Sequence, residues 1–364
     1  MQKKIIALAI AAMVSAPAFA DNANITFYGL ANVSNDFVDT GSGMTTANGA
    51  TAVSGTNKRV VSSNVSKFGF KGSEDLGNGL AAVWQVEQQV NIDTGANTLA
   101  TRNTFAGLKS DSLGTVLIGI HDTPYKISTR GLDVFGDNIA DNRSLMGKKS
   151  AAGFELRPTD VLAYISPAFA GVTVAVATVN LTEANTTSAQ KNSNALSAAA
   201  MYSAAPFYAS VAYESHVLDS VLPTVTSPKE SATRVGFGFK PEGFELNVVY
   251  EKTSDNLTPT TNANLYGHSA YYVGGKYLIG ADAVKLSYIK ADKTGVVANS
   301  DATQVAVGYD MSLSKRTTLY ALYAKLTNGK GINYAFSQNS GAASTVSGYG
   351  AAPTTLSIGL KHSF

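Results

Sequence analysis

The sequence contains no cysteine, which excludes a disulfide framework and any zinc-thiolate or iron–sulfur site. Charge is sparse too: only 15% of the 364 residues are Asp, Glu, Lys or Arg. Long apolar runs are missing with one exception, Ile5 to Val14, about ten residues against the ~20 that a spanning helix needs. That run follows Lys3 and Lys4 and precedes Ser15-Ala16-Pro17-Ala18-Phe19-Ala20, with small residues at Ala18 and Ala20. The pattern is that of a secretory leader with an A-x-A cleavage site, so residues 1–20 are expected to be removed and 21–364 to form one domain. Any crossing of a membrane by the mature chain must then be made by strands. The formal charge of +2 belongs to the leader: without Lys3 and Lys4 the chain has 26 bases against 26 acids. Charge therefore gives no reason to expect a nucleic-acid partner.

What the chain does have is 33 glycines, 17 tyrosines and 15 phenylalanines. Mean hydropathy is +0.02, a mixture that suits a barrel with a wet lumen and also a secreted β-sandwich. The last residues are more telling. From Thr354 to Phe364, Leu356, Ile358, Leu360, His362 and Phe364 share one face, and Thr355, Ser357, Gly359, Lys361 and Ser363 the other. A barrel needs such a closing strand, whose outside meets lipid and whose inside meets water. Val83-Trp84-Gln85-Val86-Glu87-Gln88 alternates in the same way, as does the segment from Arg234 to Phe239.

Turn-rich segments fall at about 72–79, 110–114, 167–171, 204–206, 241–243, 279–282 and 313–316. Longer stretches rich in Asn, Thr, Ser and Gly fall at about 34–57, 92–99, 123–156, 183–192, 217–229, 254–266, 293–300 and 328–352. Eight long connections and seven short ones require sixteen strands, an even number with both termini on the short-turn side. The expected fold is thus all-β: a transmembrane antiparallel barrel of sixteen strands with one set of long loops.

The segment Ser66-Lys67-Phe68-Gly69-Phe70-Lys71-Gly72-Ser73-Glu74-Asp75-Leu76-Gly77-Asn78-Gly79-Leu80 resembles a signature of the general porins of β-proteobacteria and Neisseria-like bacteria. Arg102-Asn103-Thr104-Phe105-Ala106-Gly107-Leu108, Leu113-Gly114-Thr115-Val116, Arg157-Pro158 followed by Tyr164 to Gly171, and the Gly359–Phe364 end are similar to later motifs of that family, in the same order. The resemblance implies a trimeric outer-membrane channel with extracellular long loops and periplasmic short turns. It also implies that the third long loop folds into the lumen to narrow the pore. Function is then passive passage of ions and small hydrophilic solutes, with no enzyme activity and no cofactor. A substrate-selective channel on the same barrel is the alternative. The partners implied are two further copies, outer-membrane lipid and lipopolysaccharide, and a barrel-assembly machinery that reads the C-terminal strand through Leu360 and Phe364.

Fixed charge at a narrowing sets ion preference. Alternation turns Lys67 and Lys71 toward the lumen if Phe68 and Phe70 face lipid; the same test sets Arg102 against Phe105. The family's wall arginines match Lys67, Arg102 and Arg157, with Lys67 keeping the charge but losing the planar fork. Asp133, Asp137 and Asp141 recur at i, i+4 and i+8, and a short helix would align them on one face toward that wall. Ordinary solvated lumen and loop charges are the competing reading for every one of these residues. Where relatives often carry Arg after the glycine of the fifth strand, Gly119 is followed by Ile120; Ala163 stands where a base is common. The direction of ion preference is left open. His121 beside Asp122 is the sole local pairing suited to acid–base chemistry, and no nucleophile motif accompanies it. The run Ala198-Ala199-Ala200 is a candidate for close packing between barrels.

Overall fold

The computed structural model describes residues 24–94, 102–181, 193–218, 228–258, 263–337 and 345–364. The expected leader, residues 1–20, lies outside the described residues. Alternating sequences pair into a single antiparallel sheet that closes on itself. Its strands are β1 (Asn24–Asp39), β2 (in two segments, Asn57–Ser63 and Lys67–Gly77), β3 (Leu80–Gln89), β4 (Thr104–Ser110) and β5 (Gly114–Ile120). Then follow β6 (Val161–Ile165), β7 (Val172–Asn180), β8 (Asn194–Ala204), β9 (Phe207–Val217), β10 (Lys229–Phe239) and β11 (Phe244–Asp255). The last five are β12 (Ser269–Ile279), β13 (Asp282–Ala291), β14 (Ala302–Ser312), β15 (Thr317–Asn328) and β16 (Thr354–Ser363). Each strand pairs with its neighbours in sequence, and β1 joins β16 from Leu30↔Ser363 to Asp39↔Thr354. Closure leaves no free edge, the condition for a sheet in lipid.

The two faces differ as the alternation requires. All sixteen strands turn large apolar side chains outward, among them Phe27, Phe70, Val86, Ile118, Tyr164, Leu286 and Ile358. Phe207, Phe237, Phe239 and Phe244 form a contiguous aromatic row beside the short turns, as an interfacial girdle does. Inside lie Ser, Asn, Thr, Glu and Lys, and the third loop. Tyr271, Tyr288, Tyr309 and Tyr323 face out, whereas Tyr28, Tyr272 and Tyr320 face in.

Several boundaries differ from the sequence reading. β2 runs on to Gly77, so the first short turn is confined to Asn78 and Gly79, reached through positive φ at Gly77, Asn78 and Gly79. β1 extends to Asp39, shortening the first long loop. β2 is also interrupted immediately before Lys67, where Val65 takes φ 60°, a left-handed conformation rare for a β-branched residue. Asn32 on β1 spans the break by donating its N–H to Ser66 Oγ at 2.9 Å.

Candidate pore constriction

The longest connection, residues 121–160, joins β5 to β6 and runs along the inside of the barrel. It opens with α1 (Pro124–Arg130), capped by Thr123, whose side chain accepts from the Lys126 N–H, and started by proline at the first turn. Tyr125 and Phe154 bury against Ala199, Ala212 and Ala232 on three adjacent strands. The alanine run therefore turns Ala199 inward to make room for the loop. Past the helix, Leu132, Phe135, Ile139, Leu145 and Met146 pack on Val249, Tyr272, Ile289, Ala306 and Leu322 of the far wall. Glycines receive these side chains: a Cβ added at Gly236 would lie 2.7 Å from Leu132 Cδ1, and one at Gly308 2.7 Å from Phe135 Cε1.

Polar clamps complete the docking. Arg234 on β10 faces Glu251 on β11 across the ladder and ion-pairs with it and with loop residue Glu155. It also donates to Thr129 Oγ1 at 3.2 Å and stacks 4.3 Å from the Tyr125 ring centre. Glu251 accepts from Tyr125 OH at 2.7 Å and from the Gly147 N–H at 2.8 Å. Glu230 accepts from the N–H groups of Ala151 and Ala152 and lies 2.7 Å from His216, on which Phe154 stacks. Further along, Asn32, Asn247 and Gln304 donate to the loop carbonyls of Asp137, Leu132 and Ala140.

The bases picked out from sequence meet here in part. Lys67 Nζ lies 3.2 Å from Glu87 on β3, and Arg102 shares that carboxylate, which also accepts from Tyr28 OH at 2.9 Å. Arg157 Nε lies 3.0 Å from Asp122, and Lys126 Nζ reaches the same carboxylate at 2.9 Å. Asn103, the chain neighbour of Arg102, belongs to the second group, accepting from Arg157 Nε and from the Asp122 N–H. Two acids thus sit among four bases. Burial pushes the Asp122 carboxyl up, but Lys126 and Arg157 outweigh it and hold the group at about 2.

Lys71 points inward as expected but sits four residues along β2, about 13 Å toward the short turns, with its Nζ 5.5 Å from the Tyr28 ring centre. Arg102 and Arg157 lie just before β4 and β6 rather than on them, so strand parity does not orient them. Phe105 overturns the test applied to Arg102. It faces inward and packs on the inner-face cluster of Leu117, Val161 and Ala177, while Ala106 and Leu108 face out.

The loop acids gather by a different route from the one expected. The helix ends at Arg130, before Asp133, so helical spacing aligns none of them. Instead the chain turns through Asp137 at φ 62° and wraps all three acids around Arg130. Arg143 closes the cluster, 2.8 Å from Asp141 and 3.1 Å from Asp137. Burial pushes Asp141 up, but Arg130 and Arg143 outweigh it and hold its carboxyl well below the usual range. Burial and then the neighbouring Asp141 charge raise Asp133. The Asp133 and Asp141 side chains are fully buried, and Asp137 alone is open to the lumen.

Glu87, Arg143, Arg234 and Glu251 were not singled out from the sequence, and Asp122 was noted only beside His121 as an acid–base pair, not as a partner of Arg157 and Lys126. Glu87 had a signal, its inward parity with Gln85 on β3. The others depend on strand register or on the path of the loop.

Comparison with known proteins agrees with this architecture. Residues 7–331 match the model of the Gram-negative porin family. The major outer membrane protein P.IB of Neisseria meningitidis serogroup A is 30% identical over 337 residues, 92% of this chain and 95% of the relative. Among solved structures, the anion-selective porin from Comamonas acidovorans superposes with a TM-score of 0.75 at 20% identity, covering 94% of this chain and all of that one. The trimer form of OmpT, an outer membrane protein of Vibrio cholerae, gives 0.67 at 14% identity, covering 94% of this chain and all of that one. A closed sixteen-strand barrel that grips its own third loop, with relatives aligned over nearly its whole length, belongs to the Gram-negative porins, the passive channels of the outer membrane.

Proposed function

We propose that ions and small hydrophilic solutes cross this channel through a narrowing between the docked third loop and the bases Lys67 and Arg102 on the facing side, with Arg157 at the loop's exit beside them. The observation that carries this reading is the loop's position. It is held inside the barrel by the buried Arg234–Glu251–Tyr125 clamp and by apolar packing on several strands. Asp137 is the loop acid exposed to passing ions, and Lys71 belongs to the wider region nearer the short turns. The site performs no catalysis in this reading; its groups are fixed charges and hydrogen-bonding clamps.

Three copies are proposed to assemble in lipid and lipopolysaccharide, in keeping with trimeric OmpT on the same fold. The leader 1–20 is proposed to be removed, and Leu360 and Phe364 to present the closing strand to a barrel-assembly machinery. Planar-bilayer recording of the purified protein tests the function. The expected result is ohmic current in groups of three equal steps that added sugars do not saturate. Saturation by one solute class would favour a substrate-selective channel on the same barrel, and a folded protein that carries no current would remove both readings.

A further inference from the structure

On the short-turn side of the third loop lies a cavity of about 400 Å³ that the wall bases do not reach. One side is the loop itself, from Gly131 to Asn138; the other is inner barrel wall. Six bases line it against three acids, Asp133, Glu245 and Asp310. Strand register explains the crowding. Lys276 on β12 stands directly opposite Lys285 on β13, and Lys361 on β16 stands opposite Thr318 on β15. Arg316 sits at the foot of β15, its carbonyl accepting from the Ser363 N–H at 2.9 Å.

All three acids are engaged. Glu245 is 2.8 Å from Lys240, and Asp310 is 2.8 Å from Lys285, whose ammonium also lies 4.9 Å from the Phe135 ring centre. Asp133 turns into the loop to accept from the N–H groups of Phe135 and Asn142. Lys276, Lys315, Arg316 and Lys361 are left with no carboxylate within 4 Å among the described residues. Lys315, Arg316 and Lys361 are exposed, and Lys276 is half-buried. Like charges directly across a ladder are destabilising, so the Lys276–Lys285 pairing is held against a local cost.

At the wall and the adjoining ends of the third loop, by contrast, Glu87 and Asp122 offset half of the charge of Lys67, Arg102, Lys126 and Arg157. No side chain of those four is more than 26% exposed. A passing ion responds to uncompensated charge that borders water inside low-dielectric walls.

We infer that this vestibule sets the channel's ion preference, with Lys276, Arg316 and Lys361 as the residues that favour anions. The inference rests on the porin reading above and places selectivity below the loop rather than at the wall. A Debye length of about 10 Å at 0.1 M salt lets the field fill a cavity of this size. The anion preference therefore weakens as salt rises.

The test is the reversal potential in a potassium chloride gradient, for the wild type and for Lys276→Gln, Arg316→Gln and Lys361→Gln, singly and together. Each substitution is expected to lower the chloride-to-potassium permeability ratio about threefold, because a unit charge roughly 7 Å from the ion's path, screened at 0.1 M salt, shifts chloride and potassium by about 1.6-fold each in opposite senses. The three effects are expected to multiply. Lys67→Gln is expected to shift the ratio less than any one of them. The inference is overturned if the triple variant conducts with an unchanged ratio, or if Lys67→Gln alone moves it as far as all three together. Should the triple variant fail to fold, Lys361→Gln, exposed and free of ion pairs, decides by the same criterion. A folded wild type without conductance would instead defeat the porin reading.

Discussion

Asp122 lies between Lys126 on the loop helix and Arg157 near the start of β6, so its charge ties the entry and exit of the third loop together. Its folded value of about 2 lies below the ~4 of an unfolded aspartate. A depressed carboxylate contributes stability that is complete above its unfolded value and is lost as pH falls through the folded one. Asp122→Asn should therefore cost about 2 kcal/mol at neutral pH, and the cost should fade between about pH 4 and pH 2. Urea titration of folded barrel by gel mobility across that range measures it. A cost independent of pH would mean that the substitution acts through packing rather than charge. At this scale the sequence was legible where strand parity alone decides, as for Lys67, Lys71 and the alternating faces of β16. It was not legible where a partner came from elsewhere. Nothing near Lys67 in the chain announces Glu87, and nothing near Arg157 announces Asp122.

The third loop is the element through which the barrel interior is read. Its length and its place among the long connections were visible in the sequence, because its polar stretch is much the longest. Its path was not. Spacing of the three aspartates suggested a helix, yet Gly131 and the turn at Asp137 end helical geometry early, and the acids close on Arg130 and Arg143 instead. The inner-wall residues that hold the loop do carry a local trace: Gly236, Gly238 and Ala199 are small where a strand normally fills its face. Two outcomes follow from this docking. Arg234→Leu leaves Glu251 buried beside Tyr125 without its base, which should cost about 3–5 kcal/mol, and adding Glu251→Met should recover part of that. Thermal unfolding of the two variants checks the difference between them. Gly236→Val drives a side chain into the space of Leu132 Cδ1 and Thr129 Cγ2, so the loop must shift from β10. Single-channel conductance should then change while the barrel still folds, since the outward face and the ladder are untouched. An unchanged conductance would show that this stretch of loop does not border the narrowest point.

At the scale of the whole molecule, stability without a disulfide depends on closing the ladder, and the closing ladder between β1 and β16 runs on to Phe364. Gly29 and Phe364 exchange both backbone hydrogen bonds, at 2.9 and 3.1 Å. The Phe364 ring lies over Gly29, where any side chain would collide with it, and packs 5.8 Å from Phe27. The sixteen-strand count and the closing strand could be read from the sequence because the period-2 pattern at Leu356, Ile358 and Leu360 continues to the terminus. The facing glycine could not, since it is fixed by a register between residues more than three hundred positions apart. Ring and backbone contributions separate by experiment. Phe364→Ala keeps the backbone pair and should cost roughly 2 kcal/mol through the lost ring. Deleting Phe364 also removes two ladder bonds at roughly 1 kcal/mol each and exposes the edge of β1. Refolding into detergent, followed by the shift from unfolded to compact gel mobility, should rank wild type above Phe364→Ala and Phe364→Ala above the deletion. If the deletion matched the alanine variant, the two terminal ladder bonds would contribute nothing beyond the ring.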